Sequence, residues 1–295
     1  MTKNAMRVVV IGANGQLGTD LVKAMADWDV VPLTRSDLDI CDYARTRKVL
    51  QDKKAEIVIN TAAYNRVDDC EDEVDRAFAV NAFAVRNLAQ ICDGLECVFV
   101  HISTNYVFDG RKREPYTEDD LPNPLSVYGV SKLAGEYFAR ISCADHLIIR
   151  TSGLFGSGIP GGADSNFVER IIRLAESRAA IRVVDDQLVS PSYTQDVAGR
   201  IGELLQAGQR GTFHVTNSGS CSWFEFARGI LRLARASCVV EPVSSIAYGA
   251  RARRPLNGVL ANDAVERLGF RPLRTWEAAL TAYMLQRERD GILEL

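Results

Sequence analysis

The chain offers no cysteine pairing. Its seven cysteines, Cys41, Cys70, Cys92, Cys97, Cys143, Cys221 and Cys238, stand singly, and no C-x-x-C occurs. An odd, scattered set excludes a disulfide framework and a cysteine zinc site, and fits small thiols in a reducing compartment. Histidine is scarce. His101, His146 and His214 fall in strand-like runs without ligand spacing, so they read as structural and no metal is expected. No apolar run approaches the roughly 20 residues needed to span a bilayer. The opening stretch, residues 1–7, lacks the apolar core of a signal peptide, so a cytoplasmic location is expected. Neither charge sign dominates: 35 Lys and Arg against 38 Asp and Glu leave a formal charge of −3, which gives no footprint for nucleic acid or an anionic membrane. Internal repeats and low-complexity tracts are also missing.

What is present is globular. A hydrophobic share of 47% over 295 residues is enough for one large domain or two modest ones. Short apolar runs alternate with helix-length amphipathic segments. Arg7–Ile11, Val30–Leu33, Ile57–Asn60, Val98–Ile102 and Leu147–Arg150 read as buried strands. Helices are expected over Gln16–Met25, over Val74–Cys92 and from Tyr128 onward. Continuous apolar strands between helices predict an α/β fold, a doubly wound parallel sheet of the Rossmann kind. After Arg150 the pattern loosens. Gly153–Gly162 reads as a glycine-rich loop, and the later segments suggest a smaller mixed α/β lobe for substrate. The division expected is a dinucleotide-binding domain over 1–150, to which segments near 181–215 return, and a mainly substrate-binding lobe over 151–295. The acidic cluster Asp68–Asp75 reads as a solvated helix start.

Gly12, Gly15 and Gly18 follow the first strand and open a helix. Such a turn lets backbone approach a pyrophosphate and directs a helix N-terminus at it, with Gln16 and Leu17 in the first turn. The second strand ends Leu33-Thr34-Arg35-Ser36, without the acid that would bond an adenosine 2′-hydroxyl. Arg35 suits a 2′-phosphate, which favours NADPH while leaving NADH open. Asp39 and Ile40 are placed to contact the adenine.

Tyr128 and Lys132 stand four apart at the start of a helix, hence on one face. A phenol has an ordinary pKa near 10. A neighbouring ammonium is expected to lower it and ready Tyr128 to protonate a carbonyl oxygen. Ser103 and Thr104 end the strand at Ile102, at the carboxyl edge where such sheets place their sites. Thr104 would hold that carbonyl oxygen. The order of turn, hydroxyl pair and Tyr-x-x-x-Lys points to hydride transfer between a nicotinamide and a carbonyl.

The glycine turn, Asn60-Thr-Ala-Ala63, Ser103-Thr-Asn-Tyr-Val-Phe-Asp-Gly110 and Tyr128-Gly-Val-Ser-Lys-Leu-Ala-Gly-Glu136 resemble the extended short-chain dehydrogenase/reductases, and within them the dTDP-4-dehydrorhamnose reductases. The likeness continues through Arg150-Thr-Ser152, Asp186-Gln187, Phe213–Gly219, Trp223-Phe-Glu-Phe226 and Arg253-Arg-Pro255. It implies reduction of the 4-keto group of a nucleotide-linked 6-deoxysugar, with Thr104, Tyr128 and Lys132 as the catalytic trio. It implies that Asn60, Ala62, Ala63, Tyr64, Asn81 and Ser103 join the cofactor site. Val67, Asn105, Asn166, Gln187, Arg253 and Arg254 would face the sugar nucleotide, the arginines its diphosphate. A homodimer through the helices over 74–92 and 128–142 is compatible with the resemblance. Two other readings share the scaffold: a sugar-nucleotide epimerase, and a cofactor-binding regulatory protein like the beta subunit of methionine adenosyltransferase.

Two positions depart from the reductase pattern. Asn105 replaces an aspartate, which keeps a hydrogen bond but not a charge. Gly153 stands where the reductases carry a tryptophan beside the sugar. Phe155 or Tyr64 is expected to fill the space, or the sugar differs.

Overall fold

The computed structural model describes residues 6–156 and 166–290. Residues 1–5 of the opening stretch and most of the expected glycine-rich loop (157–165) lie outside the described residues.

In chain order the first half comprises β1 (Arg7–Ile11), α1 (Gln16–Ala24), β2 (Asp29–Leu33), α2 (Tyr43–Lys53) and β3 (Ile57–Asn60). Then follow α3 (Val74–Phe78), α4 (Ala84–Gly94), β4 (Val98–Thr104), α5 (Val127–Ser142) and β5 (His146–Thr151). The second half contains β6 (Leu154–Phe155), α6 (Phe167–Ser177), β7 (Ala180–Val184), β8 (Leu188–Val189), β9 (Ser192–Tyr193) and α7 (Thr194–Gln206). It continues with β10 (Gly211–His214), β11 (Cys221–Ser222), α8 (Trp223–Leu233), β12 (Val239–Val243), α9 (Ser245–Tyr248), α10 (Asp263–Arg267) and α11 (Trp276–Arg289).

Six strands form one parallel sheet in the order β10-β5-β4-β3-β1-β2. The chain winds outward in both directions from β1 and β3, so the crevice for a ligand lies where these two strands part. Both sheet faces are covered, which is why β1 reads as an unbroken apolar run. Val8 and Val10 face a core shared with Leu17 and Leu21 of α1 and Val197 and Ile201 of α7. Val9 and Ile11 face the opposite core, with Leu88 of α4 and Ala139 of α5. β10 lies beside β5 in the main sheet, whereas β7 pairs with β12 in a separate two-stranded sheet. That second lobe has its own core, in which Phe155, Tyr193, Phe226 and Tyr283 pack with ring centroids 5.5–5.7 Å apart.

The single helix expected over Val74–Cys92 is interrupted by one wide π-helical turn, Ala79–Phe83. Such a bulge turns a side chain out of the regular helical register. Here the residue at its centre is Asn81, whose amide is clamped on the backbone of Tyr64: its Oδ1 accepts from Tyr64 N at 2.8 Å and its Nδ2 donates to Tyr64 O at 3.0 Å.

Candidate active site

The turn after β1 is built for close approach. A Cβ on Gly12, whose φ is +79°, would lie 2.6 Å from Thr61 Oγ1, and one on Gly18 would lie 2.2 Å from Gly12 O. Only hydrogen fits at either place. The N-cap residue of α1, Gly15, has no side chain to occupy the helix end, so that end is open to an anion. Across the crevice Thr61 donates to Ile11 O at 2.8 Å, and Asn60 Oδ1 accepts from Ala62 N at 3.1 Å. Ala63 is exposed and Tyr64 buried. At the end of β2, Arg35 and Asp39 are exposed. Ile40, expected at the adenine, instead packs into the core with Leu38 and Leu50, because its place after the β2 turn sends an aliphatic chain inward.

β4 delivers its hydroxyls at the carboxyl edge of the sheet. Along this strand Phe99, His101 and Ser103 alternate with Val100 and Ile102, which puts the first three on one face. Ser103 Oγ donates to Glu136 Oε1 at 2.5 Å. Arg150 holds the same carboxylate through Nε at 2.9 Å and Nη2 at 2.7 Å. Glu136 is one helical turn beyond Lys132, itself one turn beyond Tyr128, so α5 presents a proton donor, a cation and an anion along a single stripe. The Glu136–Arg150 pair is fully buried with both carboxylate oxygens bonded, the condition under which a buried ion pair is tolerable. It joins α5, β4 and β5 beneath the site. The spacing Tyr-x-x-x-Lys-x-x-x-Glu is the sequence signal that would have revealed it.

The Thr104 hydroxyl faces the Tyr128 phenol closely enough to favour its ionised form. Thr104 Oγ1 accepts from Tyr106 N at 3.2 Å and lies 3.3 Å from Asn105 Oδ1. Asn105 Nδ2 in turn donates to Gly258 O at 3.1 Å. Thr104 therefore stands between the Tyr128 phenol and Asn105, donating to Asn105 Oδ1. Assigned from these partners, the carboxamide accepts at one end and donates at the other, and a carboxylate cannot do both. Asn105 is therefore committed to holding Thr104 and the segment around Gly258, rather than facing a ligand.

The expected lowering of the Tyr128 pKa by Lys132 is not present in this arrangement. Removal from water pushes the phenol above its ordinary range, the Thr104 hydroxyl opposes this, and Tyr106 and Cys70 add to it. Lys132 points elsewhere: its ammonium donates to Ile102 O at 2.6 Å and lies 3.3 Å from His101 Nε2. Burial pulls Lys132 down to about 8, with Glu136 opposing. His101, read from the sequence as structural, thus touches the catalytic candidate. The Tyr106 ring meets the Tyr128 ring edge-on at 5.5 Å.

Beside this constellation, between the sheet and the second lobe, lies a cleft of about 560 Å³. Asp68, Tyr106, Asn166, Gln187, Trp223 and Arg254 line it, with Arg170, Arg178 and Arg182 adding positive charge. A hollow of about 680 Å³ against α8 and β12 is lined by none of these residues. Of the residues expected at the sugar nucleotide, Asn166, Gln187 and Arg254 line the cleft, whereas Arg253 is exposed outside it and Val67 is half-buried. Asn166 is largely structural. It caps α6 by accepting from Glu169 N at 2.9 Å, and donates to Gly156 O at 3.1 Å. Gln187 Nε2 donates to Ser245 Oγ at 2.8 Å.

Asp68, read as part of a solvated helix start, is instead gripped by Arg254 at 3.1 and 2.7 Å and by Ala252 N at 2.9 Å. The guanidinium holds the Asp68 carboxyl below the usual carboxylate range. The space at Gly153 is filled by neither Phe155, which lies in the second core, nor Tyr64, which packs with Cys70 and Ala77. Pro191 and Trp223 border it, with Pro191 Cα 3.3 Å and Trp223 Cη2 3.6 Å from where a Cβ on Gly153 would stand. Among the described residues no group of three or more His, Cys, Asp or Glu is arranged to hold a metal. No described helix is long and apolar enough to cross a membrane.

Residues 6–289 match the family described as the RmlD substrate binding domain. The chain belongs to that family. It is 39% identical over 283 residues to the spore coat polysaccharide biosynthesis protein SpsK of Bacillus subtilis, covering 95% of this chain and 98% of the relative. It is 36% identical over 284 residues to a dTDP-4-dehydrorhamnose reductase of Sinorhizobium fredii, covering 92% and 94%. Among solved structures, a dTDP-4-dehydrorhamnose reductase of Bacillus anthracis in complex with NADP superposes with a TM-score of 0.91 at 38% identity, covering 96% of this chain and 99% of that one. The six-stranded sheet and its flanking helices are thus those of the RmlD family, and the extended reductase resemblance read from the motifs holds.

Proposed function

We propose that the chain is an NADPH-dependent oxidoreductase that reduces the 4-keto group of a nucleotide-linked 6-deoxysugar, in the manner of the dTDP-4-dehydrorhamnose reductases. One observation supports the reading: Thr104 ends β4 facing Tyr128 on α5, with Lys132 on the next turn of that helix, and Tyr106, whose ring meets Tyr128, lines the cationic cleft. The glycine turn and the open end of α1 fit a dinucleotide pyrophosphate, held by Gly12, Gly15, Gln16, Leu17 and Gly18, with Asn60, Ala62, Ala63, Tyr64, Asn81 and Ser103 framing its other end. When bound, the cofactor supplies hydride.

The protein residues handle the proton and the charge. Tyr128 enters with its phenol protonated, because burial disfavours the phenolate. It gives that proton to the 4-keto oxygen, which Thr104 fixes through its hydroxyl. The phenolate left behind needs a cation, and Lys132 on the next turn of α5 is the residue we assign to supply it. Arg254 supplies a planar fork for the diphosphate, in competition with Asp68. Trp223 presents the aromatic surface that Gly153 lacks. The same reading includes a homodimer through the helical segments over 74–92 and 128–142, which leave Phe83, Tyr137 and Ile141 exposed; sedimentation velocity tests it.

The deciding experiment is NADPH oxidation with dTDP-4-keto-rhamnose generated in situ, run beside other 4-keto-6-deoxysugar nucleotides. Turnover with the first substrate is expected. Turnover only with another sugar would reassign the substrate, and NADPH binding without any turnover would favour a regulatory role.

A further inference from the structure

Beneath the catalytic lysine lies a histidine that the reaction scheme leaves unused. His101 is completely buried on the β4 face that receives α5, and its ring stacks on Phe99 at 6.2 Å. Its Nε2 lies 3.3 Å from Lys132 Nζ, and its Nδ1 lies 3.5 Å from Asn60 Nδ2. The approach is made possible by Gly135, where a Cβ would stand 2.2 Å from Asn81 O and 3.4 Å from His101 Nε2. The imidazole therefore bridges the turn after β3 and the ammonium on α5. A neutral imidazole has one N–H and one lone pair. An ammonium at 3.3 Å calls for the lone pair at Nε2, which places the proton on Nδ1 and makes the 3.5 Å approach of Asn60 Nδ2, itself a donor, a contact and not a hydrogen bond.

We propose that His101 is a positioning residue for catalysis: its Nε2 and the Ile102 carbonyl together seat the Lys132 ammonium and keep it charged. The inference rests on the reading of Lys132 as the cation that supports Tyr128. Ile102 O alone would leave a buried ammonium with one acceptor for three N–H groups. The other titratable or charged groups around the pair are Glu136, held by Arg150 of β5, and Tyr128, Tyr106 and Cys70 beyond the lysine. None of these is seen to accept a hydrogen bond from Lys132 among the described contacts, and His101 Nε2, at 3.3 Å, is the side-chain atom placed to do so in the tautomer with its proton on Nδ1. Burial and the lysine charge both keep the imidazole neutral, well below its ordinary pKa. It thus stays an acceptor through the pH range in which the lysine titrates.

Two measurements test this. Imidazole nitrogen shifts of isotope-labelled protein are tractable because the chain has only 3 histidines. Between about pH 6 and 9 His101 should stay neutral with Nε2 unprotonated, and that shift should move in Lys132→Met. A proton-bearing Nε2, or a shift indifferent to Lys132→Met, overturns the proposal whether or not the enzyme's substrate is known. The second measurement is the pH profile of kcat/KM. In His101→Phe the alkaline limb should move to lower pH by about one unit, with kcat falling more than the KM for NADPH, and His101→Gln, which retains an acceptor, should restore it. A limb unmoved in folded His101→Phe overturns the proposal; absence of any ketoreduction in the wild-type protein would instead count against the proposed reaction and leave the NMR test standing.

Discussion

Trp223 borders the space beside Gly153, its Cη2 3.6 Å from the position of an added Cβ. Gly153 itself has a φ of +53°, and Pro191 Cα lies 3.3 Å from the same point. Gly153→Ala is expected to lower stability by roughly 1–2 kcal/mol, from the left-handed backbone alone. Gly153→Trp, which restores the reductase pattern, should lose a further 1–3 kcal/mol or so by crowding Pro191 and Trp223. Denaturant midpoints of the two variants check this. Equal midpoints would mean that the cleft accommodates a second indole.

Tyr128→Phe removes the proposed proton donor and leaves the ring against Tyr106. Its kcat should fall by about 10²–10⁴-fold. NADPH affinity by fluorescence titration should be nearly unchanged, because the glycine turn and Arg35 are untouched. A kcat within a few-fold of wild type would transfer the donor role to another group.

Arg35 stands exposed just after β2, and the nearby Asp37 carboxylate is taken up by Thr34 N at 2.9 Å and Thr34 Oγ1 at 2.7 Å. Arg35→Glu should raise the KM for NADPH by about tenfold or more and leave that for NADH level or lower. Steady-state kinetics with both cofactors decide it. A KM for NADPH unaffected by the exchange would place the 2′-phosphate elsewhere.

Acid should destabilise the fold through two buried imidazoles. His214 faces Tyr116 O at 3.1 Å and Ala261 O at 3.0 Å through Nδ1, and burial followed by the Arg150 charge pulls it down to about 3. His101 is likewise held well below its ordinary value. Both folded pKa values lie below the unfolded value near 6.5, so the unfolded state binds more protons as pH falls from there. The stability present above that pH is lost toward pH 3. At pH 5.5 the combined loss should be roughly 3 kcal/mol relative to pH 7.5. Denaturant melts across this range measure it, and His214→Asn should flatten the slope.

The sheet and the trio were legible early because their signals are local. Unbroken apolar runs such as Arg7–Ile11 report strands covered on both faces, and glycines at 12, 15 and 18 report where side chains do not fit. The spacing of Tyr128 and Lys132 reports a shared helix face. Other readings needed distances across the chain. Asp68 reads as a surface acid until Arg254, 186 positions away, is found on it. Ile40 looked available to a ligand because nothing local says that it packs on Leu50. His101 looked inert because its partner lies 31 positions downstream on α5.

The amino-acid order by itself determined which chemistry the chain carries: a phosphate-cradling turn, a hydroxyl, a phenol and an ammonium, in the sequence that a doubly wound sheet brings to one edge. Periodicity and steric exclusion act over a few residues, so they are written in the order of residues. Tertiary structure alone decided the state of those groups. Burial keeps the proton on Tyr128, and the Ile102 carbonyl and His101 draw Lys132 to themselves. It also set Pro191 and Trp223 against Gly153. Desolvation and packing depend on what surrounds a residue in space, and that neighbourhood exists only once the chain has folded.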